Sequence, residues 1–218
     1  MVMKEIAERY CVRNFSDKQL PDEVIKEILE AGRLSPSWMN TQSWHFIVVK
    51  NDRNKALLSQ LSHGQPHVEK AQAVILCCGD KDTWEEELYR GVVSSKKGIT
   101  PERVEMLLKN PAYNPKLQGE QMVLCRCLEQ VTYAIAYMTI AAHACGVGAC
   151  IIGAMGNELT KSVPEVYELA KKTFNVPDNL TILAMLALGY PAESAEKPEK
   201  KRKPFNEVVS WESYGRTL

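Results

Sequence analysis

From Leu124 to Cys145 the chain is apolar on most faces of a helix, with Val131, Ala134, Ile135, Ala136, Met138, Ile140 and Ala141 spread around it. A helix with so little polar surface must be enclosed by other elements, so it predicts a central buried helix. Gly146-Val147-Gly148 supplies the stop. Ala71 to Cys78 and Leu180 to Leu188 are short continuous apolar runs and read as buried strands. Trp44 to Val49 is aromatic and β-branched between polar segments and reads as a third strand. Ala149 to Ile152 reads as a fourth, with a turn over 153–157.

Helices surround these strands. Asp22 to Ala31 carries Val24, Ile25, Ile28 and Leu29 as a helical stripe. Pro21 precedes it, Asp22 can cap it, and Gly32 is expected just past its end. Asp52 to Leu61 reads as a short helix, and Pro164 to Thr173 as an exposed one. Residues 80–120 are polar and broken by Gly91, Gly98, Pro101, Pro111 and Pro115, the pattern of a mobile helix-and-loop segment suited to a lid. The strands do not alternate regularly with helices, so the class is α+β. No Gly-x-Gly-x-x-Gly follows a strand, which argues against a Rossmann dinucleotide site.

Lys and Arg number 27, as do Asp and Glu, so the formal charge is zero and lacks the basic excess of a nucleic-acid binder. No apolar run approaches the ~20 residues of a membrane-spanning helix. Met1 to Arg13 shows no signal-peptide core, and a cytoplasmic location is the expectation. Seven cysteines (Cys11, Cys77, Cys78, Cys125, Cys127, Cys145, Cys150) include no Cys-x-x-Cys. They read as free thiols, mostly small buried hydrophobes, in a reducing compartment.

Two segments carry chemistry. Arg9-Tyr10-Cys11-Val12-Arg13 places two guanidinium groups within five residues, enough to fork a phosphate monoester. Ser35 to Gln42 packs Ser, Pro, Ser, Asn and Gln before an apolar run. Alone, the first reads sooner as two surface arginines, and the second equally as a polar turn. Together they suit a ligand with an anionic end and a flat, hydrogen-bonding end, as flavin mononucleotide has. Lys200-Lys201-Arg202-Lys203-Pro204 is either a solvated tail or a second clamp on that anion. His63 and His67 make a weak metal pair because Pro66 breaks the helical spacing. His45 and His143 read as core histidines. No Gly-x-Ser-x-Gly or Cys/His nucleophile pattern is visible.

Read in order, these segments resemble the FMN-dependent nitroreductase family. Arg9-x-x-x-Arg13-x-Phe15 resembles its N-terminal Arg-[Arg/His]-Ser-x-[Arg/Lys]-x-Phe signature. Ser35-Pro36-Ser37 with Asn40, Gln42 and Trp44 to Phe46 resembles its Pro-Ser-x-x-Asn-x-Gln-Pro-Trp-x-Phe segment. Gly146-Val147-Gly148 with Ile151-Ile152-Gly153 resembles its Gly-Leu-Gly and Ile-Gly region. Gly189-Tyr190-Pro191, Arg202-Lys203-Pro204 and Glu207-Val208-Val209 resemble its C-terminal ending. Cys11 stands where the family usually has Ser, and Ser43 where it usually has Pro. A thiol is the weaker hydrogen-bond partner, so Cys11 is expected to act through its backbone amide.

The resemblance implies one FMN-binding domain over 1–218: a central antiparallel sheet flanked by helices, in an intertwined homodimer with FMN at the interface and residues 192–218 embracing the partner. Arg9, Tyr10, Cys11 and Arg13 would hold phosphate, ribityl and pyrimidine groups. Pro36, Ser37, Asn40 and Gln42 would approach from the second subunit. Ile152 and Gly153 would lie near the ring, and Arg202 would complete the phosphate clamp with Lys200 or Lys203 nearby. NADH or NADPH would reduce the flavin, and a nitroaromatic, quinone or similar small acceptor would reoxidise it in a ping-pong cycle, with no side chain as obligatory acid or base. The alternatives are a specialised flavin enzyme of the same fold (dehalogenase-like, flavin-fragmenting or ferredoxin-coupled) and a cofactor-free helical interaction protein with a basic tail.

Overall fold

The computed structural model describes residues 2–217, and side chains from residue 3. Four strands form one antiparallel sheet: β1 (Trp44–Val49), β2 (Ala73–Asp80), β3 (Gly148–Ile152) and β4 (Leu180–Gly189), in the spatial order β1-β2-β4-β3. The two central strands are the two continuous apolar runs, and nearly all of their residues are buried. Side chains alternate between faces. In β2, Ala73, Ile75 and Cys77 enter one apolar layer, while Val74, Leu76 and Cys78 enter the other. Continuous hydrophobicity therefore reflects a sheet covered on both sides. Pairing shifts between Cys77 and Cys78, so Leu183 of β4 is an extra residue and joins Ala184 in the same layer.

One layer is built by α2 (Asp22–Arg33), α5 (Glu86–Ser94), α6 (Pro101–Lys109) and α7 (Glu120–Ala144), and the other by α3 (Asp52–Leu61), α4 (Pro66–Lys70) and α8 (Pro164–Thr173). The short α1 (Val2–Glu8) precedes the first arginine, and α9 (Phe205–Val208) lies in the tail.

Several expectations are corrected. Gly32 lies inside α2, which runs on to Arg33. A Cβ at Gly32 would come 2.8 Å from Met138 Cγ, so this glycine lets α2 press onto α7. Asp22 does not cap α2; its carboxylate accepts from Lys50 Nζ at 2.7 Å. The central helix is not buried all round, because Leu128, Tyr133 and Tyr137 are exposed on one face. Residues 80–120 are woven into the core: Tyr89, Val93, Val104, Leu107 and Leu108 are buried. Helix α8 buries Tyr167 and Ala170. His45 is exposed, and His143 is half-buried with Nε2 3.6 Å from Glu5. Four of the seven cysteines are buried, and Cys125 is exposed. No helix among the described residues is long and apolar enough to cross a membrane.

Candidate functional site

The N-terminal segment is laid against the outer edge of the sheet at β3. The Val12 N–H donates to the Ala149 carbonyl at 3.1 Å, and Cys11 bridges Ala149 in parallel. This close approach needs Gly148, where an added Cβ would sit 2.7 Å from the Val12 side chain. Arg9 and Tyr10 line a 180 Å³ cavity with His143 of α7, Gly148 and Pro191. Arg13 is exposed. Among the described residues, neither Arg9 nor Arg13 has a carboxylate within salt-bridge range.

The tail returns to the same place. Phe15 bridges Pro191, and the Ala192 N–H donates to the Asn14 carbonyl at 3.1 Å. Farther on, Lys200 Nζ donates to the carbonyl of Ala7. Desolvation and the facing cations Arg9, Lys197 and Arg202 hold Lys200 below the usual lysine range. Glu8 opposes them only in part, so the local charge is positive and favours an anion. Lys203 is exposed.

The Cys11 thiol lies beside that of Cys150. That neighbour, and then Arg9 and Arg13, pull it down to about 5 against the opposing effect of burial. Cys150 is pushed up by the same contact and by burial.

At the far end of β3, the Ile152 side chain is 1% exposed and belongs to the core, so it can offer a ligand only its backbone. Its neighbour Ile151 is 44% exposed. With Gly153, Leu128, Thr132, Ala136 and Leu159 it lines an apolar cleft of 370 Å³. Ala149 and Gly153 are four residues apart, roughly 13 Å along a strand.

The Ser35–Ser43 loop is built differently. Met39, Asn40 and Gln42 take φ of 55°, 59° and 51°, the left-handed region that non-glycine residues rarely occupy. Three anchors hold it there. Gln130, fully buried in α7, accepts from the Trp38 N–H at 2.6 Å. Lys96 donates to the Met39 carbonyl at 2.7 Å. Arg126 lies 4.6 Å over the Trp38 ring. Ser37 Oγ accepts from the Gln42 N–H at 3.0 Å. Ser35, Thr41 and Ser43 have buried hydroxyls without a hydrogen-bond partner. Pro36, Asn40 and Gln42 are exposed.

The fold thus lays Arg9, Tyr10, Cys11 and Arg13 along β3, with Ile152 and Gly153 at its far end and Arg202 near Lys200. It places Pro36, Ser37, Asn40 and Gln42 beside β1, at the other edge of the sheet. Three strand spacings separate those edges, roughly 14 Å. Sequence reasoning did not find Ile151 or the Cys150 contact. The Ala149–Ile152 run is apolar throughout, so no alternation marks which isoleucine faces outward.

Comparison with known proteins identifies the family and the fold. The profile of the nitroreductase family matches residues 6–190. An oxygen-insensitive NADPH nitroreductase of Helicobacter acinonychis is 30% identical over 87% of this chain and 85% of its own. An FMN reductase (NADPH) of Bacillus subtilis is also 30% identical, over 93% of this chain and 70% of its own. A nitroreductase-like protein from Streptococcus mutans superposes with a TM-score of 0.76 at 23% identity, covering 96% of this chain and 97% of that one, a likeness that shows the fold.

Proposed function

Because this chain belongs to the nitroreductase family, we propose that it is an FMN-dependent oxidoreductase. In this reading it moves a hydride from NADH or NADPH to a small oxidised acceptor such as a nitroaromatic or a quinone. The observation that carries it is the convergence of Arg9, Arg13, Lys200 and Arg202 beside β3, none of them in a salt bridge among the described residues and only Glu8 offsetting the charge at Lys200. A phosphate would supply the missing counter-charge. The apolar cleft at Ile151 and Gly153 lies about one mononucleotide length along the same strand and fits a flat ring. The residues present therefore fit the group.

Bound FMN would supply the atom that accepts and then donates the hydride, so donor and acceptor would use one pocket in turn. The protein's part is binding and orientation. Arg9, Arg13 and Arg202 would fix the phosphate, with Tyr10 and the backbone of Cys11 alongside and Lys203 nearby. Ile151 and the backbone of Ile152–Gly153 would form the floor under the ring and keep water from it.

Within one chain the Pro36–Gln42 loop stands at the wrong edge of the sheet to meet that ring. We assign it to the site of a second copy in a homodimer, to which it would bring Ser37, Asn40 and Gln42. The exposed Leu128, Tyr133 and Tyr137 of α7 support such an interface. So do the exposed Phe205, Val208, Trp211 and Tyr214 of the tail, whose last residue, Leu218, lies outside the described residues. Segment 80–120 would face the acceptor, tied to the loop by Lys96.

The test is a visible spectrum of the purified protein before and after anaerobic NADH or NADPH. A yellow protein that bleaches supports the reading. One that stays yellow with either donor rejects the proposed electron source. A colourless protein that does not take up added FMN removes the site.

A further inference from the structure

Behind the clamp lies a cluster that hydride transfer does not use. The Cys11 and Cys150 thiols stand close enough to bias each other's titration, Cys11 downward and Cys150 upward. Both pack on the same apolar layer. His67 of α4 places Nε2 3.7 Å from Cys150 Sγ on the side away from solvent. Cys11 pairs with Ala149, the residue before Cys150. Strand partners are about 4.8 Å apart and successive residues about 3.3 Å, so the Cα atoms of Cys11 and Cys150 stand roughly 6 Å apart, within the range a disulfide spans.

We propose that Cys11 and Cys150 form a second redox site, a dithiol that hydroperoxides oxidise to a disulfide without any flavin. Burial sets the order of events. Cys11 is half-exposed and Cys150 is 1% exposed, so peroxide meets Cys11 first. The Cys11 thiolate attacks the terminal oxygen of the hydroperoxide. The O–O bond breaks, the alcohol or water leaves with a proton, and Cys11 becomes a sulfenic acid. Cys150 then attacks Cys11 Sγ. The S–S bond forms and hydroxide leaves, taking up the proton that Cys150 gives to His67. The net change is two thiols and one hydroperoxide to one disulfide, one alcohol or water, and one water.

The surroundings suit these steps. When no phosphate pairs with them, Arg9 and Arg13 face the attacking sulfur and favour its anion, so the flavin-free protein is the reactive form. Burial and the facing Arg13 hold His67 below the usual histidine range, which favours its neutral, acceptor form beside Cys150. Cys125, exposed on α7, serves as an internal control.

The experiment treats reduced, flavin-free full-length protein with one equivalent of hydrogen peroxide and reads intact mass and a peptide map. The expected result is loss of two hydrogens with Cys11 joined to Cys150. In Cys150→Ser, Cys11 should instead remain as a sulfenic acid trapped by dimedone. An ordinary thiol loses about thirtyfold in alkylation rate from pH 7 to ~5.5, whereas Cys11 should change by less than about twofold. Both thiols surviving peroxide, a link between another pair, or Cys125 reacting ahead of Cys11 would overturn the proposal. The wild-type map alone suffices should the variant fail to fold.

Discussion

Replacing Arg9 or Arg13 with alanine separates a ligand site from a structural one. A structural arginine is paired, and its loss strands a carboxylate. Neither of these has such a partner among the described residues, and Arg9 faces further cations through Lys200. Deleting either relieves like-charge repulsion, so the apoprotein should keep its stability within about 0.5 kcal/mol in urea unfolding. FMN affinity should respond very differently. A charge-assisted hydrogen bond contributes about 1.5–3 kcal/mol, and 1.4 kcal/mol is a factor of ten, so each substitution should weaken binding roughly 10- to 150-fold. Flavin fluorescence titration of apoprotein reads this directly. Arg33→Ala is the control: its guanidinium forks Glu30 with two 2.7 Å bonds on the surface, so FMN affinity should not change. A loss below threefold in both variants, or unfolding of the apoprotein, would refute the phosphate-clamp reasoning.

Further outcomes follow from other contacts. Gly148→Leu drives a side chain into Val12, whose atoms stand 2.7 Å from the new Cβ, and should cost about 1–3 kcal/mol, with partial recovery in a Val12→Ala background by thermal unfolding. Gln130→Leu leaves the Trp38 N–H without its acceptor, so a loss of about 1–3 kcal/mol and weaker FMN retention are expected in denaturation and titration. Tyr137→Glu, on the exposed face of α7, should shift the protein to monomer in light-scattering chromatography and release flavin. Gln42→Gly relieves a left-handed backbone that costs about 1–2 kcal/mol, less the ~0.5–1 kcal/mol of added chain entropy. It should therefore leave stability unchanged or raise it by up to about 1.5 kcal/mol, read by urea unfolding.

Much of the fold was legible because burial writes itself into composition. The apolar runs at 71–78, 149–152 and 180–188 gave strands within two residues of β2, β3 and β4. Boundaries drifted where local chemistry gave no mark: β2 begins at Ala73, and α7 starts at Glu120 straight after Gly119, before its apolar stretch. Helices α5 and α6 were hidden in a polar segment, although Thr100-Pro101 carried a start signal, with Thr100 Oγ1 accepting from the Arg103 N–H. The outward face of α7 escaped detection because Leu128, Tyr133 and Tyr137 are the residue types of a core. The site was legible as two segments. Their separation was not, because it depends on β4 inserting between β2 and β3, a long-range pairing that no local pattern encodes.

That separation gives the two segments complementary defects. Beside β3 stand cations that form no salt bridge among the described residues; beside β1 stand a strained backbone and three buried hydroxyls that lack partners. Left-handed residues cost free energy and persist only where surrounding contacts over-determine them, as Gln130, Lys96 and Arg126 do for this loop. Neither defect helps a lone chain to fold, and the sheet keeps each from relieving the other. An anionic ligand would satisfy the first. A second copy would bring the other loop to the same ligand, so one molecule bound between two chains would answer the charge of one and complete the contacts of the other.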